Sequence, residues 1–196
     1  MFTSILLATD ESECSMAAAA KAVDLAASTK AQLTVVYVSA PYFYLDKAEK
    51  ADFHKRSEES ANKAFEQIKA MVPKRKMSMD SVHTVIKQGK RPSTAILDVA
   101  KAAKADLIIM GTHGAQGYQK FSIGTNTSRV VQESPCPVLS VQTHATGLGF
   151  KKIVLPIDES VESRQKVPFA VGIAQFYGAQ IVLLGIINFS GEELVR

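Results

Sequence analysis

The chain has few of the residues that staple small secreted proteins together or anchor proteins in membranes. Its 196 residues include no tryptophan and only two cysteines, Cys14 and Cys136, which argues against a disulfide framework. No apolar run reaches the roughly 20 residues that a membrane-spanning helix needs, and no basic leader precedes the first apolar run. We therefore expect a soluble cytoplasmic protein without a membrane partner.

A strong charge of one sign is also missing. Lys and Arg number 23 against 19 Asp and Glu, so the net charge is only +4. A nucleic-acid-binding protein concentrates its basic residues in a stripe or patch, whereas here they are dispersed along the chain. The tightest basic cluster, Lys74 to Lys76, falls between predicted elements and is typical of a solvated loop. We expect no nucleic-acid partner.

Short apolar runs alternate with helix-length segments along most of the chain. The runs predict five strands, which are Ser4–Thr9, Gln32–Ser39, Ser81–Lys87, Ala105–Met110 and Pro137–Val141. The segments between them predict four helices, which are Ser15–Ser28 with Ser15 as N-cap, Lys47–Met71 stopped by Pro73, Pro92–Ala102 and Thr125–Glu133. Helix-length crossovers connect parallel strands. The pattern predicts an α/β fold with an open, mainly parallel five-stranded sheet covered by helices on both faces.

An internal repeat sets the predicted domain boundaries. Residues 3–38 match residues 151–186 without gaps, 148 positions later, and Asp10-Glu11-Ser12 recurs as Asp158-Glu159-Ser160. We therefore expect a complete domain over 1–143, a linker over 144–150 and an incomplete second strand–helix–strand copy over 151–196. This half copy is too short to be stable alone and its strands leave unpaired edges, so we expect assembly into a homodimer or larger oligomer.

A glycine-rich constellation follows the fourth predicted strand. Gly111 and Gly114 are separated by two residues, and nine more lead to Gly124 and Thr125, which open a helix. In open parallel sheets, ligands bind beyond the carboxyl ends of the strands. Glycines there let the backbone approach phosphates, and a helix amino terminus offers free N–H groups. The arrangement predicts a phosphate-binding cradle.

At these residues the chain resembles the universal stress protein family, whose ATP-binding signature is Gly-x2-Gly-x9-Gly-Ser/Thr. The flanking segments agree with the resemblance, which covers about residues 1–143; they are Asp10-x-Ser12, residues 105–110 and residues 135–139. The resemblance implies a Rossmann-like nucleotide-binding domain that binds ATP with Mg²⁺ and regulates a stress response with little or no hydrolysis.

The resemblance also implies roles for individual residues. Asp10 would contact the ribose or position phosphates, and the main chain near Val38 would read the adenine edge. Asn126 departs from the apolar residue that is frequent at its position, and its side chain would add a phosphate contact or face water. The full set of candidate binding residues is Thr9, Asp10, Val38, Met110, Gly111, His113, Gly114, Gly124, Thr125, Asn126 and Thr127.

Other interpretations remain open on the sequence alone. The glycines would also suit a purely structural turn, and Asp10 would also suit a helix cap. His113 is conceivable as a general base, although no Asp or Glu is close in sequence to orient it. The alternative functions are a nucleotide-independent oligomerising scaffold and a slow ATPase or adenylating enzyme. The second lacks the loop Gly-x4-Gly-Lys-Ser/Thr.

Overall fold

The computed structural model describes residues 2–113, 123–143 and 149–187, and these divide into two compact units, Met1–Gly147 and Leu148–Arg196. Gly114, most of the predicted linker and residues 188–196 of the predicted half copy lie outside the described residues. The first unit contains five strands, β1 Ser4–Thr9, β2 Gln32–Ser39, β3 Val82–Gln88, β4 Leu107–Gly111 and β5 Val138–Val141. Its helices are α1 Glu13–Thr29, α2 Lys47–Lys69, α3 Pro92–Ala102 and α4 Thr125–Glu133.

All five strands are parallel and lie in the order β3-β2-β1-β4-β5. Side chains alternate between the two faces of the sheet. One face carries Leu6, Val36 and Ile108, which pack with Ile96 of α3 and Val130 of α4 in one buried cluster. On the other face α1 and α2 contact β1, β2 and β4. The predicted α/β architecture is therefore confirmed.

The helix boundaries differ from the sequence prediction at two points. Ser12, not Ser15, is the N-cap of α1, and its hydroxyl accepts from the Ser15 N–H. Ser15 is instead buried, with its hydroxyl 3.1 Å from that of Thr9. Pro73 does not end α2, which stops at Lys69. It begins a short 3-10 turn, Pro73–Arg75.

The second unit contains β6 Lys152–Ile157, α5 Val161–Tyr177 and β7 Gln180–Gly185. Lys152 pairs with Gln180 in a parallel two-stranded sheet, and Ser4 pairs with Gln32 at the positions 148 earlier. The unit differs from its counterpart by Pro168, which stands inside α5. Because proline has no N–H, one helical hydrogen bond is missing there.

None of the helices in the described residues combines the length and the apolar character needed to cross a membrane.

Candidate functional site

The candidate site lies at the carboxyl edge of the sheet, between β1 and β4. These strands are neighbours in the sheet although two other strands separate them in sequence. The chain leaves β1 into α1 on one face and leaves β4 toward α4 on the opposite face. A crevice of this kind, where the direction of strand order reverses, is where open α/β sheets bind ligands.

On the β1 side, Asp10 is held in place by Ser12. The Asp10 Oδ1 atom accepts from the Ser12 hydroxyl at 2.6 Å and from the Ser12 N–H at 3.2 Å. Ser12 in turn caps α1. The carboxylate is therefore oriented, at the strand end where a ligand would sit, by the residue that begins the helix.

Between Asp10 and Ser12, Glu11 adopts a left-handed backbone with φ of 64°. This conformation costs a non-glycine residue about 1–2 kcal/mol. Its carboxylate is 22% exposed and pairs with Lys63 of α2, whose Nζ lies 3.0 Å from Oε1. Burial, and then the Glu11 charge, raise the pKa of Tyr37. Sequence reasoning missed Lys63 and Tyr37, because only the fold brings them to Glu11.

The main chain of Val38 extends past the end of β1. Thr9, the last residue of β1, pairs with Tyr37, whereas Val38 and Ser39 continue to pair with β3 only. The Ser39 carbonyl accepts from Gly89 on the β3 side. Successive residues of an extended strand direct their N–H and C=O groups to opposite sides. The carbonyl of Val38 therefore faces the side on which β1 has ended.

On the β4 side, both described glycines lie where a side chain would meet neighbouring backbone closely. A Cβ on Gly111 would lie 3.0 Å from Cys14 C and Ser15 N of α1, and one on Gly124 would lie 3.1 Å from the Thr112 carbonyl oxygen. The glycines therefore let α1 and α4 approach the end of β4. This is a structural reason for two positions that the sequence assigned to phosphate contact.

The predicted threonines play different parts. The Thr127 hydroxyl is buried and donates to the Gly111 carbonyl at 2.9 Å, which ties the first turn of α4 to β4. Only its main-chain N–H can serve a ligand. Thr125 and Asn126, by contrast, are exposed at the start of the helix.

No side chain among the described residues caps the amino terminus of α4. Gly124 is the N-cap, and the first turn contains no acidic residue. The first helical hydrogen bond runs from Ser128 N–H to the Gly124 carbonyl. The N–H groups of residues 125–127 precede that bond and point out of the helix, where the helix dipole favours an anion.

His113 and Cys14 flank Thr112 beneath this turn. The Thr112 hydroxyl lies 3.1 Å from His113 Nδ1 and 3.4 Å from Cys14 Sγ. The Nε2 atom of His113 is buried and has no hydrogen-bond partner in the part of the chain that the structure describes. An unpaired buried ring nitrogen of this kind costs free energy unless a ligand pairs with it.

The two cysteines have opposite environments. Burial alone would raise the pKa of Cys14, but hydrogen bonds from the Thr112 and Thr143 side chains and from the main chain of His113 and Thr112 lower it. Burial raises the pKa of Cys136. The more ionisable thiol therefore lies at the candidate site.

The structure thus brings most of the predicted residues to one edge. Thr9, Asp10 and Val38 lie at the ends of β1 and β2, and the remaining described residues lie at the end of β4 or in the first turn of α4, namely Met110, Gly111, His113, Gly124, Thr125, Asn126 and Thr127. Met110 is buried in the core cluster. Within the described ranges, no group of three or more His, Cys, Asp or Glu side chains is placed to hold a metal ion.

Comparison with known proteins agrees with this architecture. A model of the universal stress protein family matches residues 1–142. A universal stress protein from Thermus aquaticus is 38% identical over 143 residues, which are 72% of this chain and 100% of the relative. A solved universal stress protein from Lactobacillus plantarum superposes with a TM-score of 0.62 at 30% identity, over 71% of this chain and 97% of that one. A crystal structure of a universal stress protein in complex with cAMP has a TM-score of 0.57 at 22% identity, over 72% of this chain and 98% of that one.

Proposed function

Because the chain belongs to the universal stress protein family, we propose that its first domain, residues 1–143, binds ATP in the crevice between β1 and β4. The observation that carries the proposal is the first turn of α4, which has no acidic residue and, among the described residues, no capping side chain. Three outward N–H groups and the positive end of a helix dipole form a site for phosphate. The unpaired His113 Nε2 adds a further donor when Nδ1 accepts from Thr112.

The other end of the crevice fits an adenine base. The Val38 carbonyl lies beyond the end of β1 and would accept from the 6-amino group of adenine. The related fold that was crystallised with cAMP binds an adenine nucleotide, which supports this class of ligand. Asp10 stands between the two ends, where it would accept from a ribose hydroxyl.

Mg²⁺ would accompany ATP and neutralise part of the phosphate charge. Magnesium keeps several of its waters and is bound by one or two carboxylates together with substrate phosphates. Asp10 is the residue at this edge that offers such a carboxylate, and Ser12 already orients it. Phosphate oxygens and water molecules would supply the other ligands of the Mg²⁺ ion.

We propose occupancy rather than turnover as the function, in a cytoplasmic stress response. In the described part of the chain, His113 Nδ1 contacts the Thr112 hydroxyl and no carboxylate orients the ring. A general base of ordinary efficiency is positioned by such a partner. ATP would thus act by stabilising one conformation of the domain, with phosphate release far below the typical enzyme turnover of about 10 per second.

A charge placed in the first turn of α4 tests the site. Asn126→Asp adds an exposed carboxylate that favours the helix by about 0.3–1 kcal/mol but repels phosphate. Gln132→Glu is the matched control, because it adds the same charge on the last turn of α4, about 9 Å away.

Isothermal titration of the two variants should separate binding from folding. We expect Asn126→Asp to lower ATP affinity at least tenfold without loss of thermal stability, and Gln132→Glu to bind like the wild type. Equal ATP affinity in all three proteins would contradict the site. Titration with cAMP in parallel would show whether the triphosphate is required.

We also propose that residues 151–196 begin a second copy of the domain and that the chain forms a homodimer or larger assembly. The support is the register of β6 with β7, which repeats that of β1 with β2 at 148 positions. Light scattering across a dilution series tests the assembly, and a monodisperse monomer at micromolar concentration would contradict it.

A further inference from the structure

The connection between β2 and α2 exposes three consecutive aromatic side chains, Tyr42, Phe43 and Tyr44, here called the aromatic turn. Their exposed fractions are 46%, 91% and 67%. The Tyr42 and Tyr44 rings stack with centroids 5.3 Å apart, and Phe43 meets Tyr44 edge-on at 5.6 Å. Single exposed apolar residues are ordinary, but a contiguous exposed cluster marks a binding surface.

Both ends of the aromatic turn are anchored. At the β2 end, the Ser39 carbonyl accepts from Gly89 N–H, and the Ser39 hydroxyl lies 2.7 Å from His54 Nδ1 of α2. At the α2 end, Asp46 and Glu49 form a reciprocal capping box with two bonds of 2.8 Å. The two ends of the aromatic turn are therefore fixed before any ligand binds, which reduces the entropic cost of binding.

The aromatic turn follows the strand end that carries the proposed adenine contact. Tyr42 follows the last residue of β2 by three positions, which limits the distance between them to about 10 Å. The Val38 carbonyl, the proposed contact of the adenine amino group, is one residue before Ser39. The aromatic turn and the base would thus share the carboxyl edge of β2.

We propose that the aromatic turn stacks on the adenine base of the bound nucleotide through the face of Phe43, the most exposed of the three rings. The inference rests on the proposed ATP site and identifies the residues that recognise the base. Aromatic rings stack on nucleobases through their flat faces. Three side chains form far less than the roughly 800 Å² per partner of a stable protein interface, so the surface suits a small planar ligand.

The stacking residues can be removed without touching the phosphate site or the core. In the double variant Phe43→Ala and Tyr44→Ala, we expect ATP affinity to fall roughly ten- to a hundredfold. The affinity for inorganic triphosphate, which has no base, should stay unchanged. Tyr44→Phe keeps the ring and should bind ATP like the wild type. Phe169→Ala removes another exposed ring, 46% accessible and in the second unit, and should have no effect.

A spectroscopic variant gives an independent readout. The chain has no tryptophan, so Phe43→Trp would introduce a single tryptophan into the aromatic turn. We expect ATP to quench its emission and inorganic triphosphate to leave it unchanged, because only a stacked base contacts the ring.

The outcomes separate this inference from the proposed function. If the wild type binds ATP and the double variant binds it equally well, the stacking role is overturned while the ATP site stands. If the wild type does not bind ATP, both are overturned. Loss of triphosphate binding in the double variant, or a change confined to its oligomeric state, would assign the aromatic turn to another task and overturn the inference.

Discussion

The same three residues follow the first strand of each compact unit, and the hydrogen bonds around them are almost the same. The Ser12 hydroxyl donates to Asp10 Oδ1 at 2.6 Å, and the Ser160 hydroxyl donates to Asp158 Oδ1 at 2.5 Å. Both serines cap the helix that follows. Local sequence is therefore sufficient to build this turn twice.

The surroundings of the two turns differ. Every residue of β1 except Ser4 is buried, whereas Leu155 alone is buried in β6, and β7 is half-buried or exposed throughout. In the first unit β1 has β2 and β4 as neighbours; in the described part of the second unit β6 pairs with β7 alone. The comparison teaches that the turn positions an aspartate, but that β4 and α4 are needed to form a crevice beside it.

The largest expected contrast comes from one substitution at two equivalent strand positions. Ile5 is fully buried, whereas Ile153 is only half-buried. Ile5→Ala should cost about 2–5 kcal/mol of unfolding free energy, because it leaves a cavity in a packed core. Ile153→Ala should cost clearly less, since water can reach the vacated space. Urea denaturation of both full-length variants measures the difference, and equal costs would show that β6 is as well covered as β1.

A smaller effect on stability, with a split in binding, is expected for the two aspartates. Asp10→Ala and Asp158→Ala remove the same acceptor from the capping serine, so each should lower the unfolding free energy modestly. Hydrogen bonds from Ser160, the side chain first and then the main chain, lower the pKa of Asp158. ATP affinity should fall in Asp10→Ala only, because the described residues of the second unit include no counterpart of β4 and α4. Calorimetry with both variants tests this, and a matching loss in Asp158→Ala would point to a nucleotide site in the second unit.

The smallest expected effects on stability come from glycine substitutions at the middle residue of each turn. Glu11 has a positive φ, whereas Glu159 does not. Glu11→Gly relieves the strained backbone and loses the ion pair with Lys63. Because the Lys63 side chain is 70% exposed, solvent screens this pair and it contributes little to stability. It should be neutral or stabilising by less than about 1 kcal/mol. Glu159→Gly should destabilise by about 0.5–1 kcal/mol, because glycine has more freedom to lose. Thermal unfolding measures the change in stability of both variants. Destabilisation in both would show that the backbone of Glu11 is not strained.

Much of the first domain could be predicted from the sequence because its signals are local. The bounds of α3 and α4 agree with the prediction, and those of the strands agree within two residues. The predicted N-cap of α1 was wrong because serine is an equally good capping residue at position 12 and at position 15. The Ser15 hydroxyl instead contacts the Thr9 hydroxyl, and this contact depends on how α1 packs on β1.

The candidate site was only partly predictable. Its residues could be named because glycines after a strand and before a helix are a local pattern. The reason for Gly111 could not be named, because the atoms that would clash with its Cβ belong to α1, nearly 100 positions earlier. Lys63 and the aromatic turn carried no sequence signal that linked them to the site.

The sequence by itself determined the secondary structure, the two Asp-Glu-Ser turns and the parallel pairing, because hydrophobic period, capping chemistry and crossover length are properties of neighbouring residues. The tertiary structure alone decided that β1 ends one pair before Val38, that Glu11 pairs with Lys63, and that one of the two Asp-Glu-Ser turns lies at the same sheet edge as the first turn of α4. Those features depend on which strands and helices pack side by side, and packing joins residues that are far apart in the chain.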